Sequence, residues 1–184
     1  MTLQEPAKPV SGFRLRHLIW AVVALIGLGA IILVGGLFAA FSIGRPIRNV
    51  GQGMMPAIRD GDRLFVERNP DQFERGDIII FYYPEDTTKS YVKRIIGLPG
   101  ETLMIEEGKI TINGTLLEEP YLPDEWKSQD SLSEPVKIPD SHYFVLGDNR
   151  RNSSDSRYWG TVPRDLIYGK YWFRYWEADD TDRR

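Results

Sequence analysis

An uninterrupted apolar run near the N-terminus limits most strongly what this chain can fold into. It spans residues 18–41, LIWAVVALIGLGAIILVGGLFAAF, and contains no charged residue. A helix of roughly 20 apolar residues crosses a hydrocarbon core of about 30 Å. A cleavable secretory signal is the alternative, but its apolar core would have only about 7–15 residues, and no small-x-small cleavage site precedes an evident mature start. We therefore predict one transmembrane helix over residues 18–41.

The charges that flank this run differ little between its two sides. Three basic residues precede it and two follow it closely: Lys8, Arg14, Arg16, Arg45 and Arg48. Large domains cross a membrane largely regardless of their charge. We therefore expect residues 1–17 to be a short cytoplasmic tail and residues 42–184 an extracytoplasmic domain. The chain would then be a single-pass protein of the cell (plasma) membrane, with the lipid bilayer as one partner.

The composition excludes several classes of chemistry. Without cysteine the chain has no cysteine nucleophile, no thiolate metal site and no disulfide. Its two histidines, His17 and His142, disfavour a histidine zinc site, and a net charge of −3 argues against a nucleic-acid partner. We predict no metal and no cofactor, so that acid–base chemistry must rest on Lys, Asp, Glu, Ser or Tyr.

Beyond residue 42, short β-branched and aromatic runs alternate with turn residues. The runs are 63–67, 77–83, 91–96, 102–105, 109–112 and 143–146. Glu107-Gly108 and Asn113-Gly114 have the composition of tight hairpin turns. This pattern predicts a mainly β chain, with an all-β domain of barrel or sandwich type behind the helix. Residues 118–140 are rich in Pro, Ser, Asp and Glu, and we predict a surface excursion between strands there.

The C-terminal stretch 168–176 is rich in aromatic residues. One interpretation is a last core strand. The other places Trp172 and Trp176 at the membrane interface, where amphipathic rings are favoured. Because a strand has two faces, both interpretations can hold together.

Lys93 has unusual neighbours for a charged residue, since it lies within a predicted strand. Alternation with period two places Tyr91, Lys93 and Ile95 on one face. If Ile95 points to the core, Lys93 is buried, its pKa falls, and it becomes a candidate neutral base. In the alternative, the Lys93 face is solvated and Arg94 points inward.

Polar residues crowd the stretch 147–157. They are Asp148, Asn149, Arg150, Ser153, Asp155 and Arg157, and they permit Asp–Arg pairing within a fixed loop or a purely structural turn. A divalent metal on Asp148 and Asp155 is disfavoured because neighbouring arginines compete for the carboxylates. A Ser-His-Asp triad through His142 has no supporting motif.

Together these stretches resemble the type I signal peptidases (bacterial leader peptidases). These are membrane-anchored hydrolases, Ser/Lys serine proteases that process the signal peptides of exported proteins during secretion. The resemblance runs from the apolar run to Trp176 and rests on residues 53–56 with 61–62, 76–81, 91–101, 145–150 and 152–160. The short chain is similar to the Gram-positive layout. The resemblance implies signal peptides of exported preproteins as partners, bound as extended strands at a sheet edge.

The resemblance also implies roles for individual residues. Lys93 matches the general base, and Ser153 matches the hydroxyl that hydrogen-bonds to this lysine and orients it. Supporting roles fall to Asp155 and Arg157, which match a bracing ion pair, and to Asp148 and Arg150. Four residues match the lining of shallow pockets for the small residues one and three before the cut: Met54, Ile58, Tyr91 and Val92.

Gly53 occupies the position of the family's serine nucleophile, and Ala57 that of a usual threonine. The N–H of Gly53 matches an oxyanion-hole donor. Glycine cannot attack a carbonyl, so we expect the chain to be inactive or severely impaired, with residual hydrolysis at most by a water that Lys93 activates. Two interpretations remain open: a peptidase that has lost its nucleophile, and a pseudoenzyme that binds exported peptides or assists surface-protein assembly. A purely structural membrane protein is the third class.

Overall fold

The structure, a computed structural model, describes residues 12–179, without the side chains of residues 12–16 and 37–43. Within it the chain divides into two compact units between Ser42 and Ile43. Residues 1–11 of the predicted tail lie outside the described part.

The first unit is the helix α1, Gly12–Ile43. Its stretch His17–Gly36 is long and apolar enough to cross a membrane, with a mean hydropathy of 2.7. The predicted helix is therefore present, but it extends beyond residues 18–41 at both ends. The reason is that apolar composition marks the part of a helix that suits lipid, whereas backbone hydrogen bonding continues into the polar residues that flank it.

The second unit is built from antiparallel β-strands, which confirms the prediction of a mainly β chain. In the described residues there are eleven strands: β1 Gly44–Arg48, β2 Arg63–Arg68, β3 Ile78–Tyr83, β4 Asp86–Gly97, β5 Thr102–Glu106, β6 Lys109–Ile112, β7 Thr115–Leu116, β8 Val136–Lys137, β9 His142–Leu146, β10 Val162–Pro163 and β11 Ile167–Trp176. One sheet has the order β1-β2-β11-β3-β4-β9-β10, and the other has the order β7-β6-β5-β8. A short helix, α2 Ser156–Trp159, follows β9.

Both predicted hairpin turns are present. Glu107-Gly108 joins β5 to β6, and Asn113-Gly114 joins β6 to β7. All four residues have φ between 48° and 81°. Such left-handed conformations match the twist of two-residue hairpins, and glycine and asparagine adopt them at the lowest cost.

Strand β1 is the clearest element that the sequence pattern did not predict. Its sequence, GRPIR, carries a proline and too few β-branched residues to look like a strand. Proline is tolerated on an edge strand, where one side of the backbone needs no ladder partner. Strand β1 is such an edge, because it pairs only with β2 in the described sheet.

Residues 118–140 are largely exposed but are tied to the domain at two points. Leu122 and Ile138 are buried, and β8 pairs with β5. These two isolated apolar side chains anchor a segment whose average composition is polar. Averaging over the segment concealed them.

Strand β4 is buried on both faces near its C-terminal end. Ile95 belongs to a hydrophobic cluster with Phe81 and Val145, and Ile96 to a second cluster with Phe144 and others. Neither face of this part of β4 therefore looks into open solvent. Because both faces are covered, the two preceding cationic residues, Lys93 and Arg94, are also largely buried.

Strand β11 combines a buried start with an exposed aromatic end. Ile167 is buried, whereas Trp172 and Trp176 are 58% and 52% exposed. The strand thus begins in the core and presents indole rings outward. Contact of these rings with a membrane interface stays a prediction.

Candidate active site

Three parts of the chain, around Gly53, Lys93 and Ser153, meet at one cleft of about 350 Å³. Its lining includes residues of the loop after β1, of strand β4 and of the loop after β9: Gly53, Met54, Tyr91, Val92, Lys93 and Ser153. Strand β4, an interior strand of the larger sheet, carries Lys93. The loops bring Gly53 and Ser153 to it from positions forty or more residues away in sequence.

Gly53 directly faces Lys93. A Cβ atom placed on Gly53 would lie 3.1 Å from Nζ of Lys93 and 3.6 Å from Oγ of Ser153. The φ angle of Gly53 lies outside the left-handed region that favours glycine. A small side chain is therefore compatible with the backbone here, provided that the flexible lysine end shifts by a few tenths of an ångström.

The carbonyl group of Gly53 is hydrogen-bonded, whereas its N–H group is not bonded to any of the described residues. Its carbonyl accepts a hydrogen bond from the N–H of Asn149, 3.1 Å, which ties the loop after β1 to the loop after β9. Its own N–H has no hydrogen-bond partner among the described residues. A free N–H beside a cleft can donate to a ligand's carbonyl oxygen.

Lys93 is buried, with 7% of its surface exposed. Among the described residues its ammonium has neither an ion-pair nor a hydrogen-bond partner; the ring of Tyr91 lies 5.4 Å away. Burial lowers the pKa of Lys93, and Arg157 lowers it further, whereas Asp155 and Asp148 oppose the shift. The neutral amine, which accepts a proton, is thereby favoured relative to an exposed lysine.

Arg94 is also turned inward, so the two alternatives for this strand are both partly right. Its guanidinium donates to the two carboxylate oxygens of Asp148 at 2.8 and 2.5 Å. Both side chains are largely buried, at 12% and 1% exposure. Arg94 has a carboxylate partner and serves as a structural cation. Lys93 has no such partner among the described residues, and its pKa is lowered.

Ser153 stands beside Lys93 without the hydrogen bond that the resemblance implies. Its Oγ is buried and has no partner among the described residues. The hydroxyl packs against Gly147, where an added Cβ would come within 2.2 Å of it. The same Cβ would lie 2.3 Å from the carbonyl oxygen of Gly53, so only glycine fits at position 147.

Asp155 holds the loop after β9 in place. It is fully buried and accepts two hydrogen bonds from the guanidinium of Arg157, 2.8 and 2.9 Å. It also accepts from the N–H of Gly147, 3.0 Å, and caps helix α2. Asp155 thus holds Gly147, and Arg157 contacts the carbonyl oxygen of Ser153 at 3.5 Å.

Arg150 finds its acceptor in a place that the sequence did not indicate. It donates to Glu119 at 2.5 and 3.1 Å, and both side chains are more than nine-tenths buried. Glu119 was missed because it lies in the predicted surface excursion. The signal that pointed to such a partner was Arg150 itself, since a buried guanidinium requires an acceptor.

The residues matched to substrate pockets divide into two groups. Met54, Tyr91 and Val92 line the cleft. Ile58 does not line it: the residue is 1% exposed and packs in a cluster with Leu64 and others. A turn in which the N–H of Ile58 bonds to the carbonyl of Met54, 2.9 Å, directs Ile58 into the core.

One edge of β4 is open beside the cleft. The strand pairs with β3 along nearly its whole length, but it pairs with β9 only from Arg94 to Gly97. In the described residues, positions 90–93 therefore have a strand neighbour on one side only. An extended peptide can add to such an edge.

Among the residues that the structure describes, no group of three or more His, Asp or Glu side chains is arranged to hold a metal ion. The carboxylates near the cleft are instead occupied by arginines. Asp148 pairs with Arg94, and Asp155 pairs with Arg157.

Comparison with known proteins gives the family. The model of the family "Signal peptidase, peptidase S26" matches residues 17–176. The chain therefore belongs to the signal peptidase family, which confirms the resemblance seen in the sequence.

Two relatives that are 39% and 40% identical agree with this assignment. A probable signal peptidase I-2 of Synechocystis sp. is 39% identical over 151 residues, which cover 71% of this chain and 65% of the relative. Signal peptidase I of Leptolyngbya laminosa is 40% identical over 138 residues, covering 70% and 66%. The matched part thus spans just under two thirds of the length of these two relatives. A crystal structure of a signal peptidase I from Enterococcus faecalis V583 has 35% identity and a TM-score of 0.48, covering 54% of this chain and 96% of the other.

Proposed function

We propose that this chain binds the signal peptides of exported preproteins in the cleft beside Gly53 and cleaves them weakly or not at all. Family membership supports the substrate class. One observation carries the loss of cleavage: glycine stands where a side chain would meet the buried, unpaired Lys93.

The peptide would bind as an extended strand along the open edge of β4. Main-chain hydrogen bonds to positions 90–93 would supply affinity. Met54, Tyr91 and Val92 border this edge and would select small side chains near the scissile bond. Strand addition needs no rearrangement of the sheet, because this edge has no partner within the described residues.

Cleavage is impaired because the general base and the oxyanion donor remain but the nucleophile is missing. A neutral Lys93 can accept a proton, and the free N–H of Gly53 can donate to the developing oxyanion. No hydroxyl stands between them, so no acyl-enzyme forms at position 53. In another serine protease, loss of the nucleophile lowers turnover by on the order of a million-fold.

The surroundings of Gly53 favour a peptidase with one missing group over a pseudoenzyme with several lesions. Lys93, Ser153 and the Asp155–Arg157 pair still converge on the glycine. Ala57, the second departure from the family pattern, is exposed. A threonine methyl and hydroxyl there would add surface and no buried contact.

We propose further that α1 anchors the chain in the plasma membrane as a single pass, with the N-terminus cytoplasmic and the β domain outside. The apolar stretch His17–Gly36 supports the anchor. Export of the domain places the cleft on the side where signal peptides emerge.

Peptide binding tests this function directly. Fluorescence anisotropy of a labelled signal peptide with a small-x-small site is measured with the full chain in detergent. Val92→Glu, which puts a charge at the cleft edge, should weaken binding at least about tenfold. Leu116→Glu makes the same change at an exposed site on β7 and should leave binding unchanged. Equal binding by both variants, or no binding by the parent chain, would refute the proposal.

A further inference from the structure

We propose that the space between Gly53, Lys93 and Ser153 binds one small neutral hydroxyl compound, water or an alcohol of methanol size, which acts as the acyl acceptor in place of a serine. This inference rests on the proposed function, because the acyl donor is the bound signal peptide.

The immediate surroundings of this space are polar. The three atoms nearest to a Cβ position on Gly53 are Nζ of Lys93 at 3.1 Å, Oγ of Ser153 at 3.6 Å and the carbonyl oxygen of Asn152 at 3.7 Å. All four residues line the same cleft. A small molecule can therefore enter from the cleft and meet hydrogen-bonding groups.

Two of these groups have no other partner. Lys93 is more than nine-tenths buried and makes no hydrogen bond or ion pair within the described residues. The Oγ of Ser153 is buried and equally unpaired. Buried polar atoms without partners cost free energy, so a ligand that satisfies both is stabilised there.

The donor and acceptor pattern selects a neutral hydroxyl. A neutral amine at Lys93 accepts the O–H hydrogen bond, and the hydroxyl of Ser153 donates to the ligand's oxygen. An anion would meet the carbonyl oxygen of Asn152, and a cation would be repelled whenever Lys93 is protonated. Methanol matches the side chain that distinguishes serine from glycine.

The reaction balances without any further reagent. The ligand's oxygen attacks the scissile carbonyl while Lys93 takes its proton, and the N–H of Gly53 donates to the oxyanion. The C–N bond then breaks, and the lysine ammonium returns the proton to the leaving amine. Methanol yields a peptide methyl ester and the free amine of the mature part; water yields the carboxylic acid and the same amine.

Mass spectrometry of the products tests this site. The full chain in detergent is incubated with a synthetic peptide that spans a small-x-small site, at rising methanol concentration. Gly53→Ala fills the space with a methyl group, and Lys93→Met removes the base with little change of shape. Binding of the labelled peptide is measured in parallel for all three proteins.

We expect methyl ester that rises with methanol and saturates, falling on the order of a hundred-fold in both variants while peptide binding persists. Carboxylic acid alone, with the same dependence on Gly53 and Lys93, would support the site with water as its occupant. Ester or acid that is unaffected by Gly53→Ala would overturn the inference, as would a parent chain that binds peptide and forms neither product. Absence of peptide binding would overturn the proposed function, and the inference with it.

Discussion

Lys93 shows how a single buried amine can define a site. It is buried beside the cleft and has no carboxylate partner among the described residues, whereas its neighbour Arg94 is paired with Asp148. Burial therefore lowers the pKa of Lys93. Arg94 stays charged when buried because it forms an ion pair with Asp148.

Lys93→Met should remove a pH dependence of stability. Because the folded-state pKa lies below its ordinary value of 10.5, the unfolded chain binds more protons between the two pKa values. The free energy of unfolding should therefore rise with pH in that window. Urea titrations of the parent and of Lys93→Met over this range should show the rise in the parent only. Equal slopes would contradict burial of the lysine.

The sequence pattern left open which of Lys93 and Arg94 is buried, and each alternative buried only one of them. Alternation with period two assigns neighbouring residues to opposite faces, and it assumes that one face is solvated. Here both faces are covered, so both cations are buried. A sequence motif also does not predict how individual side chains pack. It therefore missed that Ser153 makes no hydrogen bond to Lys93 and that Ile58 points into the core.

At the scale of elements, the segment after β7 and the loop after β9 brace each other. Glu119 pairs with Arg150, and Asp130 pairs with Arg157. The carbonyl of Lys127 also accepts from Arg151, 2.8 Å. These contacts hold the loop that carries Ser153 through a segment that never touches the cleft.

Glu119→Gln should destabilise the domain, because it leaves Arg150 buried without a charged partner. Breaking a buried pair by removing one partner costs about 3–5 kcal/mol. The control is Asp124→Asn, which breaks the exposed Asp124–Lys127 pair and should change the stability far less, because solvent screens an exposed ion pair. Urea denaturation measures both. Similar losses in the two variants would show that the Glu119 pair is not a brace.

The strands and hairpins of this domain were predictable because their signals are local. Asn113-Gly114 and β-branched runs carry their own geometry. The brace was not predictable, because Glu119 and Arg150 lie 31 residues apart and become partners only when the segment folds back. A polar composition does not distinguish a solvated segment from one that supplies buried ion pairs.

At the scale of the whole molecule, the two units suggest a division between anchoring and binding. The helix was predictable from hydropathy, since a run of 24 residues without a charge is long enough to cross a hydrocarbon core as a helix. The family was predictable from the order of several motifs. The side of the membrane was not, because basic residues flank the apolar run on both sides.

Membrane fractionation tests the anchor. The full chain should remain with membranes after alkaline extraction, and residues 43–184 alone should be released. A C-terminal tag should be digested by protease added to intact spheroplasts, while an N-terminal tag should be protected. Protection of the C-terminal tag would contradict the proposed orientation.

The central claim is that this cleft lacks one group for cleavage, and cleavage of a preprotein by three matched chains tests it most directly. The parent, Gly53→Ala and Gly53→Ser are purified with their anchors and assayed on one small-x-small preprotein. The backbone of Gly53 accepts a side chain that meets Lys93 and Ser153, so we predict that Gly53→Ser cleaves faster than the parent by on the order of a thousand-fold or more and that Gly53→Ala cleaves no faster than the parent. Equal cleavage by all three chains, or none by Gly53→Ser while it still binds the peptide, would contradict the claim.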